Sequence, residues 1–311
     1  MSSLLEGPLR AGILAAADNR LVRRAVTRYG MRLGARRFVA GETVDQFMPV
    51  ARAANAAGFS VAATILGESV ADRDATLDVT HEYCTLLRRF AQEGIDANVA
   101  FKLTHVGLDI DPELAFANAS AIAAAAGESG RTVRMDMEQS RYVDATLQIY
   151  RRLRTEHENV GFVLQSYLYR SAADLSAALD PSPNVRIVKG AYLEPPEVAY
   201  RRKPDVDAAY VRLAETALSH DGYTAIATHD PAIIDRVRRF AEARNLPKRG
   251  RLEFQMLYGI ASPLARAILA DGYPVRLSIP FGEYWFPYLM RRLAERPANV
   301  AFFLKGAFAR A

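Results

Sequence analysis

One cysteine, Cys84, stands in 311 residues, so the chain holds no internal disulfide and fits a reducing compartment. No apolar run approaches the roughly 18–20 residues that a membrane-spanning helix needs. The opening MSSLLEGPLRAGILAAADNR puts Glu6 inside a short apolar stretch with no basic residue ahead of it, a poor secretory signal. Neither G-x-G-x-x-G nor a Walker-type loop occurs, which counts against an open, doubly wound nucleotide-binding sheet. The first apolar run carries no H-x-H pair, H-E-x-x-H is missing throughout, and one Cys cannot build a Cys-rich zinc site. A metal-dependent hydrolase therefore has little support, although Asp136, Glu138, His105, His229 and Asp230 offer ligand chemistry. Gly 19 and Pro 15 are too few for a fibrous chain, and 50% hydrophobic residues against 24% charged exclude disorder.

What the chain does have is an uneven charge. The net +5 divides into +6 over residues 1–40, from eight Arg against Glu6 and Asp18, and −1 over the remainder. From Arg20 to Arg37, Leu21, Val22, Ala25, Val26, Tyr29 and Leu33 recur at helical spacing, while Arg20, Arg24, Arg28 and Arg32 repeat every four residues on another face. Such a helix can pack on the main domain or lie on an anionic membrane surface. Tyr29 and Phe38 are its few aromatics, which argues against a nucleic-acid adaptor that stacks single strands.

After Gly58 a short β-branched, apolar run alternates with a segment of helical period. The runs are Ser60–Leu66, Asn98–Leu103, Thr132–Met137, Val160–Gln165, Val185–Lys189, Thr224–Thr228, Leu252–Met256 and Val275–Ile279. Between them, Thr80–Gln92, Glu113–Ala126, Tyr142–Arg154 and Asp207–His220 have helical patterning. Near-continuous apolar strands alternating with helices predict a parallel α/β sheet covered on both faces. Eight such units predict a (βα)8 barrel over residues 59–311, preceded by a helical extension over 1–58.

Barrel chemistry sits at the C-terminal strand ends. Those ends bring Glu68, Lys102, Asp136, Gln165, Arg186, Lys189, Thr228, His229, Asp230, Gln255, Leu257 and Ser278 to one rim, with Tyr288, Arg291 and Arg292 on the last helix. Polar groups inside apolar strands are expensive to bury alone. Each has a dull reading: Asp136 paired with Arg134 or Lys102, His229 a satisfied core histidine, Gln255 a backbone bridge, Arg291-Arg292 a solvated face. Together they describe an anion-binding rim, since Lys102, Arg186, Lys189, Arg291 and Arg292 outnumber the nearby acids. Guanidinium forks suit a carboxylate, and Tyr288 three residues before Arg291 sets an aromatic wall beside a cation. Lys189-Gly190-Ala191 leaves room for a phosphate or planar ring to approach the backbone. A Schiff-base lyase acting on a small carboxylate, with Lys102 or Lys189 as amine nucleophile, stays open on these residues alone.

The motifs R-M-D-M-E (134–138), R-I-V-K-G-A-Y-x-E-P (186–195), A-T-H-D (227–230), F-Q-M-L-Y-G (254–259) and Y-L-M-R-R-L-A-E (288–295) resemble, in order, those of the proline dehydrogenases. The resemblance implies a distorted barrel flavoenzyme of the short monofunctional form. It would oxidise L-proline to Δ1-pyrroline-5-carboxylate with noncovalent FAD, pass electrons to a membrane quinone, and work in the cytoplasm at the inner membrane face. On matching positions it implies that Arg291, Arg292 and Lys102 hold the proline carboxylate, that Tyr288 and Leu257 pack the ring, and that Asp136 supports the site beneath. Arg186 would sit near flavin N5, and Gln165, Val188, Lys189, Gly190, Ala191, Tyr192, Thr228, His229 and Glu295 would line the cofactor. Glu68 would gate the site by pairing with Arg291. One position departs: in R-x-Y-x-P-x-G this chain has Ser278 in place of Tyr, which leaves space where the family's ring fit is tight.

Overall fold

The computed structural model describes residues 19–179, 182–260 and 262–295. Among them, β1 (Ser60–Ile65), β2 (Ala97–Lys102), β3 (Val133–Asp136), β4 (Val160–Gln165), β5 (Asn184–Val188), β6 (Tyr223–Ala227), β7 (Leu252–Leu257) and β8 (Val275–Phe281) close in sequence order into one parallel barrel. The helices are α1 (Arg20–Leu33), α2 (Val44–Ala56), α3 (Arg73–Gln92), α4 (Pro112–Gly127), α5 (Val143–Glu156), α6 (Ser171–Ser176), α7 (Lys203–Leu218), α8 (Pro231–Ala243), α9 (Ser262–Ala270) and α10 (Trp285–Glu295). The expected (βα)8 barrel is therefore present, with strand ends displaced by at most two residues.

The described residues form two compact units, one within 51–64 and 68–278, the other of 19–50, 65–67 and 279–295. In the larger unit the six residues of β4 are all buried, as a strand covered on both faces requires. Helix α3 turns Tyr83, Leu86, Leu87 and Phe90 inward, and Tyr150 of α5 packs on Phe162 at 4.3 Å between ring centres. Asp72 and Asp230 cap α3 and α8 by accepting from the amides of Ala75 and Ala232, satisfying donors that a helix start leaves open. In the smaller unit, Phe47 lies 4.7 Å from Phe281, and the buried Trp285 donates through Nε1 to Glu42 at 2.8 Å. There Pro280 O accepts from Ala40, Phe281 O from Leu66, and Gly41 O from Gly282.

Strand side chains alternate in direction with period two, and on β7 the two rows differ sharply. Leu252, Phe254 and Met256 are apolar, and Phe254 meets Tyr273 edge-on at 5.5 Å. Glu253 and Gln255, buried on the opposite row, belong to a polar layer with the buried Arg134 and the half-buried Asn184, Tyr223 and Arg276. Barrel interiors are usually filled with branched apolar side chains. Here Glu253, 1% exposed, accepts from Arg276 Nε at 3.0 and 3.1 Å, from the Tyr223 hydroxyl at 2.7 Å, and from Gln255 Nε2. Burial pushes the Glu253 carboxyl up, but the positive charges of Arg276 and Arg134 outweigh it and hold the group below its usual range. Arg134, 2% exposed, donates to Asn184 Oδ1. Burial, then the like charge of Arg186, lowers its pKa to about 10.

Candidate active site

The carboxyl ends of β1, β2 and β3 are tied to one another through Thr104. Its amide and hydroxyl donate to the buried Glu138 carboxylate at 3.1 and 2.6 Å. Thr104 accepts in turn from Ser69, through Oγ1 at 3.1 Å, and from Val70, through its carbonyl at 3.1 Å. The neighbouring Glu68 forms an ion pair with Lys102, the last residue of β2. Ser69 sits at φ 53°, a left-handed conformation uncommon outside glycine, which these two hydrogen bonds hold. Glu138 itself is raised by burial, partly offset by the Thr104 hydrogen bonds. By residue type alone Glu138 offers metal-ligand chemistry, and the structure instead ties it to Thr104. The usable signal was an acid two residues past Asp136, the last residue of β3, in line with a Thr two past Lys102, the last of β2.

Across the barrel, Arg186 of β5 donates through Nη2 to Asp136 and through Nη1 to Gln255 Oε1 at 3.5 Å. Asp136 thus pairs with neither Arg134 nor Lys102 but with a residue 50 positions away. Gln255 bridges two side chains rather than backbone groups. Gln165, at the end of β4, donates through Nε2 to Glu138 O at 2.7 Å. Its Oε1 and the Nε of Arg186 are buried without a hydrogen-bond partner among the described residues.

Past β5, the Lys189 ammonium is held by Asp207 at 2.5 Å and Asp230 at 2.9 Å, and Lys203 also reaches Asp230 at 3.2 Å. Burial pushes the Asp230 carboxyl up, yet Lys189 and Lys203 outweigh it and bring it to about 2. Gly190 takes φ 111°, and a Cβ there would lie 2.2 Å from the Tyr167 ring, so the space its missing side chain leaves is filled by Tyr167. Val188 and Tyr192 are half-buried and Ala191 is exposed. Thr228 Oγ1 accepts from the Asp230 amide at 3.1 Å. His229 accepts the Leu257 amide through Nε2 at 3.0 Å, so its proton sits on Nδ1 when neutral. Ser278, beside Leu257 in the β7–β8 register, is half-buried, and its carbonyl accepts from Tyr258 at 2.9 Å.

On α10, Tyr288, Arg291 and Arg292 are half-buried. The guanidinium over the Tyr288 ring is that of Arg292, four residues on, at 5.3 Å from the ring centre, rather than that of Arg291. Glu295 ends this helix, and its side chain lies outside the described residues. His105 is buried and held neutral, its pKa lowered to about 4 by burial and then by Lys102. Among the described residues no group of three or more His, Cys, Asp and Glu could hold a metal ion, and no helix is long and apolar enough to cross a membrane. Arg20, Arg24 and Arg28 are exposed on α1.

A parallel barrel whose strand ends gather ammonium, guanidinium and carboxylate groups has the organisation of a (βα)8-barrel enzyme. Residues 47–305 match the family model described as proline dehydrogenase. The chain is 39% identical to proline dehydrogenase 1 of Bacillus subtilis subsp. natto, over 96% of this chain and 98% of that protein. It is 42% identical to the proline dehydrogenase of Deinococcus radiodurans, over 88% and 89% of the two. Among solved structures, proline utilization A from Bdellovibrio bacteriovorus, inactivated by N-propargylglycine, superposes with a TM-score of 0.80 at 27% identity. That match covers 88% of this chain and 33% of the other, so the chain spans about a third of it. The chain belongs to the proline dehydrogenase family, enzymes of proline oxidation in proline catabolism. A Schiff-base lyase is thereby set aside.

Proposed function

We propose that the chain oxidises L-proline to Δ1-pyrroline-5-carboxylate with noncovalently bound FAD, its electrons going on to a membrane quinone. The observation that carries this reading is a pair of buried polar atoms without a hydrogen-bond partner among the described residues, the donor Arg186 Nε and the acceptor Gln165 Oε1. Both residues are among those the family resemblance assigns to the flavin, and the heteroatoms of an isoalloxazine ring offer the complementary acceptor and donor. Val188, Lys189, Gly190, Ala191, Tyr192, Thr228, His229 and Glu295 complete the cofactor lining. When bound, FAD supplies the acceptor for the hydride that leaves proline C5.

The protein's part is placement and electrostatics. Lys102, Arg291 and Arg292 hold the substrate carboxylate, exchanging it against the carboxylate of Glu68 at the Lys102 ammonium. Tyr288 and Leu257 pack the ring and exclude water, so that C5 is oriented for transfer. Asp136 fixes Arg186, whose positive charge would favour the reduced, more anionic form of a bound flavin. The nitrogen lone pair closes the C=N bond as the C5–H bond breaks, and the nitrogen proton goes to water. Residues 59–311 form the catalytic domain and 1–58 a helical extension whose Arg-rich helix touches the inner membrane face from the cytoplasm.

The test is simple. Purified protein should be yellow, release its flavin on denaturation, and bleach under L-proline without oxygen. A colourless protein, or a yellow one that L-proline leaves oxidised, refutes the assignment. Transfer to a soluble quinone analogue but not to NAD supports the acceptor.

A further inference from the structure

The buried layer beneath the rim contains a carboxylate that the reaction as described above does not use. Glu253 lies one turn of the pleat below Gln255 on β7, and as an ionised carboxylate it can only accept hydrogen bonds. It takes the NH2 of Gln255, and this fixes which end of that amide faces the other way. The carbonyl end, Oε1, is therefore the one turned to Arg186 Nη1, at 3.5 Å. Were the amide reversed, an NH2 would confront the guanidinium and a carbonyl the carboxylate, two like-signed contacts in place of two hydrogen bonds. Arg276 and Tyr223 keep Glu253 in place with donations at 3.0 and 2.7 Å. Arg186, anchored from below, presents Nη2 to Asp136, and its Nε has no hydrogen-bond partner among the described residues.

We propose that Glu253 is a positioning residue for proline oxidation: it sets the amide of Gln255, which holds the Arg186 guanidinium at the angle from which it serves the cofactor. The inference rests on the flavin reading above. It adds that the electrostatics of the cofactor are governed from β7, by a group that touches neither cofactor nor substrate. A structural role alone, neutralising Arg276 and Arg134, would lower stability and leave the bound cofactor unchanged.

Three variants of the holoenzyme separate these roles: Glu253→Gln, Gln255→Met and the double variant. Gln255→Met removes the amide that joins Glu253 to Arg186 while leaving the Glu253–Arg276 pair in place, so it decides the matter if Glu253→Gln fails to fold. The readouts are the flavin midpoint potential, kcat and KM for L-proline, and Tm. Each single variant should weaken the reduced flavin and kcat about ten-fold, which is about 30 mV for a two-electron couple, with KM within two-fold of wild type. The double variant should be no worse than the poorer single, because both substitutions cut the same link. Wild-type potential and kcat in Gln255→Met, or additive losses in the double variant, would overturn the proposal. A wild-type protein that binds no flavin, or is not reduced by L-proline, sinks the functional reading instead.

Discussion

Alanine at Gly190 is the sharpest test of how the end of β5 is built. The residue has φ 111°, and a Cβ would fall 2.2, 2.4 and 2.6 Å from three carbons of the Tyr167 ring. The ring cannot simply step back, because Tyr167 N–H donates to Lys189 O at 2.9 Å and Tyr167 O accepts from Tyr200 at 2.8 Å. Two effects then add. Holding a residue with a Cβ at this φ costs about 1–3 kcal/mol, and forcing an extra methyl into a packed contact costs about 1–3 kcal/mol. A total of about 2–6 kcal/mol, at roughly 2 °C per kcal/mol for a chain of this size, lowers Tm by about 4–12 °C. The assay is thermal unfolding by circular dichroism of the wild type, Gly190→Ala, Tyr167→Ala and the pair. In the Tyr167→Ala background the packing part disappears, so Gly190→Ala should cost about 1–3 kcal/mol less there. An unchanged Tm in Gly190→Ala, or an identical cost in both backgrounds, would refute the reasoning. Loss of cofactor at unchanged Tm would mean that the glycine is bare for the ligand and not for Tyr167.

Other substitutions bear on substrate and pH. Arg291→Ala and Arg292→Ala should each raise KM for L-proline at least ten-fold while flavin content stays at the wild-type level; flavin loss would reassign these residues to the cofactor. Ser278→Tyr should suppress the turnover of hydroxyproline that the smaller Ser permits, measured as the ratio of kcat/KM for the two substrates, and equal rejection by wild type and variant would contradict that reading. His105 takes a proton near pH 6.5 when unfolded but only near 4 when folded, so the unfolded chain binds more protons between those values and stability falls as pH drops through that window. Its share is about 3 kcal/mol in the limit. Urea midpoints for His105→Gln should therefore decline less than wild type between pH 7 and 4.

Much of the barrel is visible in the amino-acid order because each strand is a short, almost unbroken apolar run. Val160–Gln165 is legible to the residue, and most other strands differ by one at either end. Where boundaries were missed, polar or proline residues hid them. Helix α3 begins at Arg73, not Thr80, because its first turn is capped by Asp72 and has no apolar period. Strand β8 runs two residues past Ile279 through Pro280, which patterning reads as a stop. Rim membership followed from strand ends, but partners did not: Asp136 to Arg186 and Lys102 to Glu68 bridge 50 and 34 positions. Nothing in local pattern distinguishes these pairings from Asp136 with Arg134, two residues away. The buried layer was legible only as polar letters in apolar strands. That Glu253 has Arg276, Tyr223 and Gln255 around it depends on β6, β7 and β8 lying side by side.

That layer has a consequence for how the chain can be divided. Repeating βα units suggest that a piece of a barrel can fold by itself, each piece closing its own apolar faces. Here the charges do not partition that way. A fragment ending after β6 would hold Arg134 and Tyr223 without Glu253, and one beginning at β7 would hold Glu253 and Arg276 without Arg134 or Tyr223. Desolvating such groups unpaired costs several kcal/mol each. Pieces of this barrel separated between β6 and β7 should therefore stay soluble apart only as expanded, protease-sensitive chains.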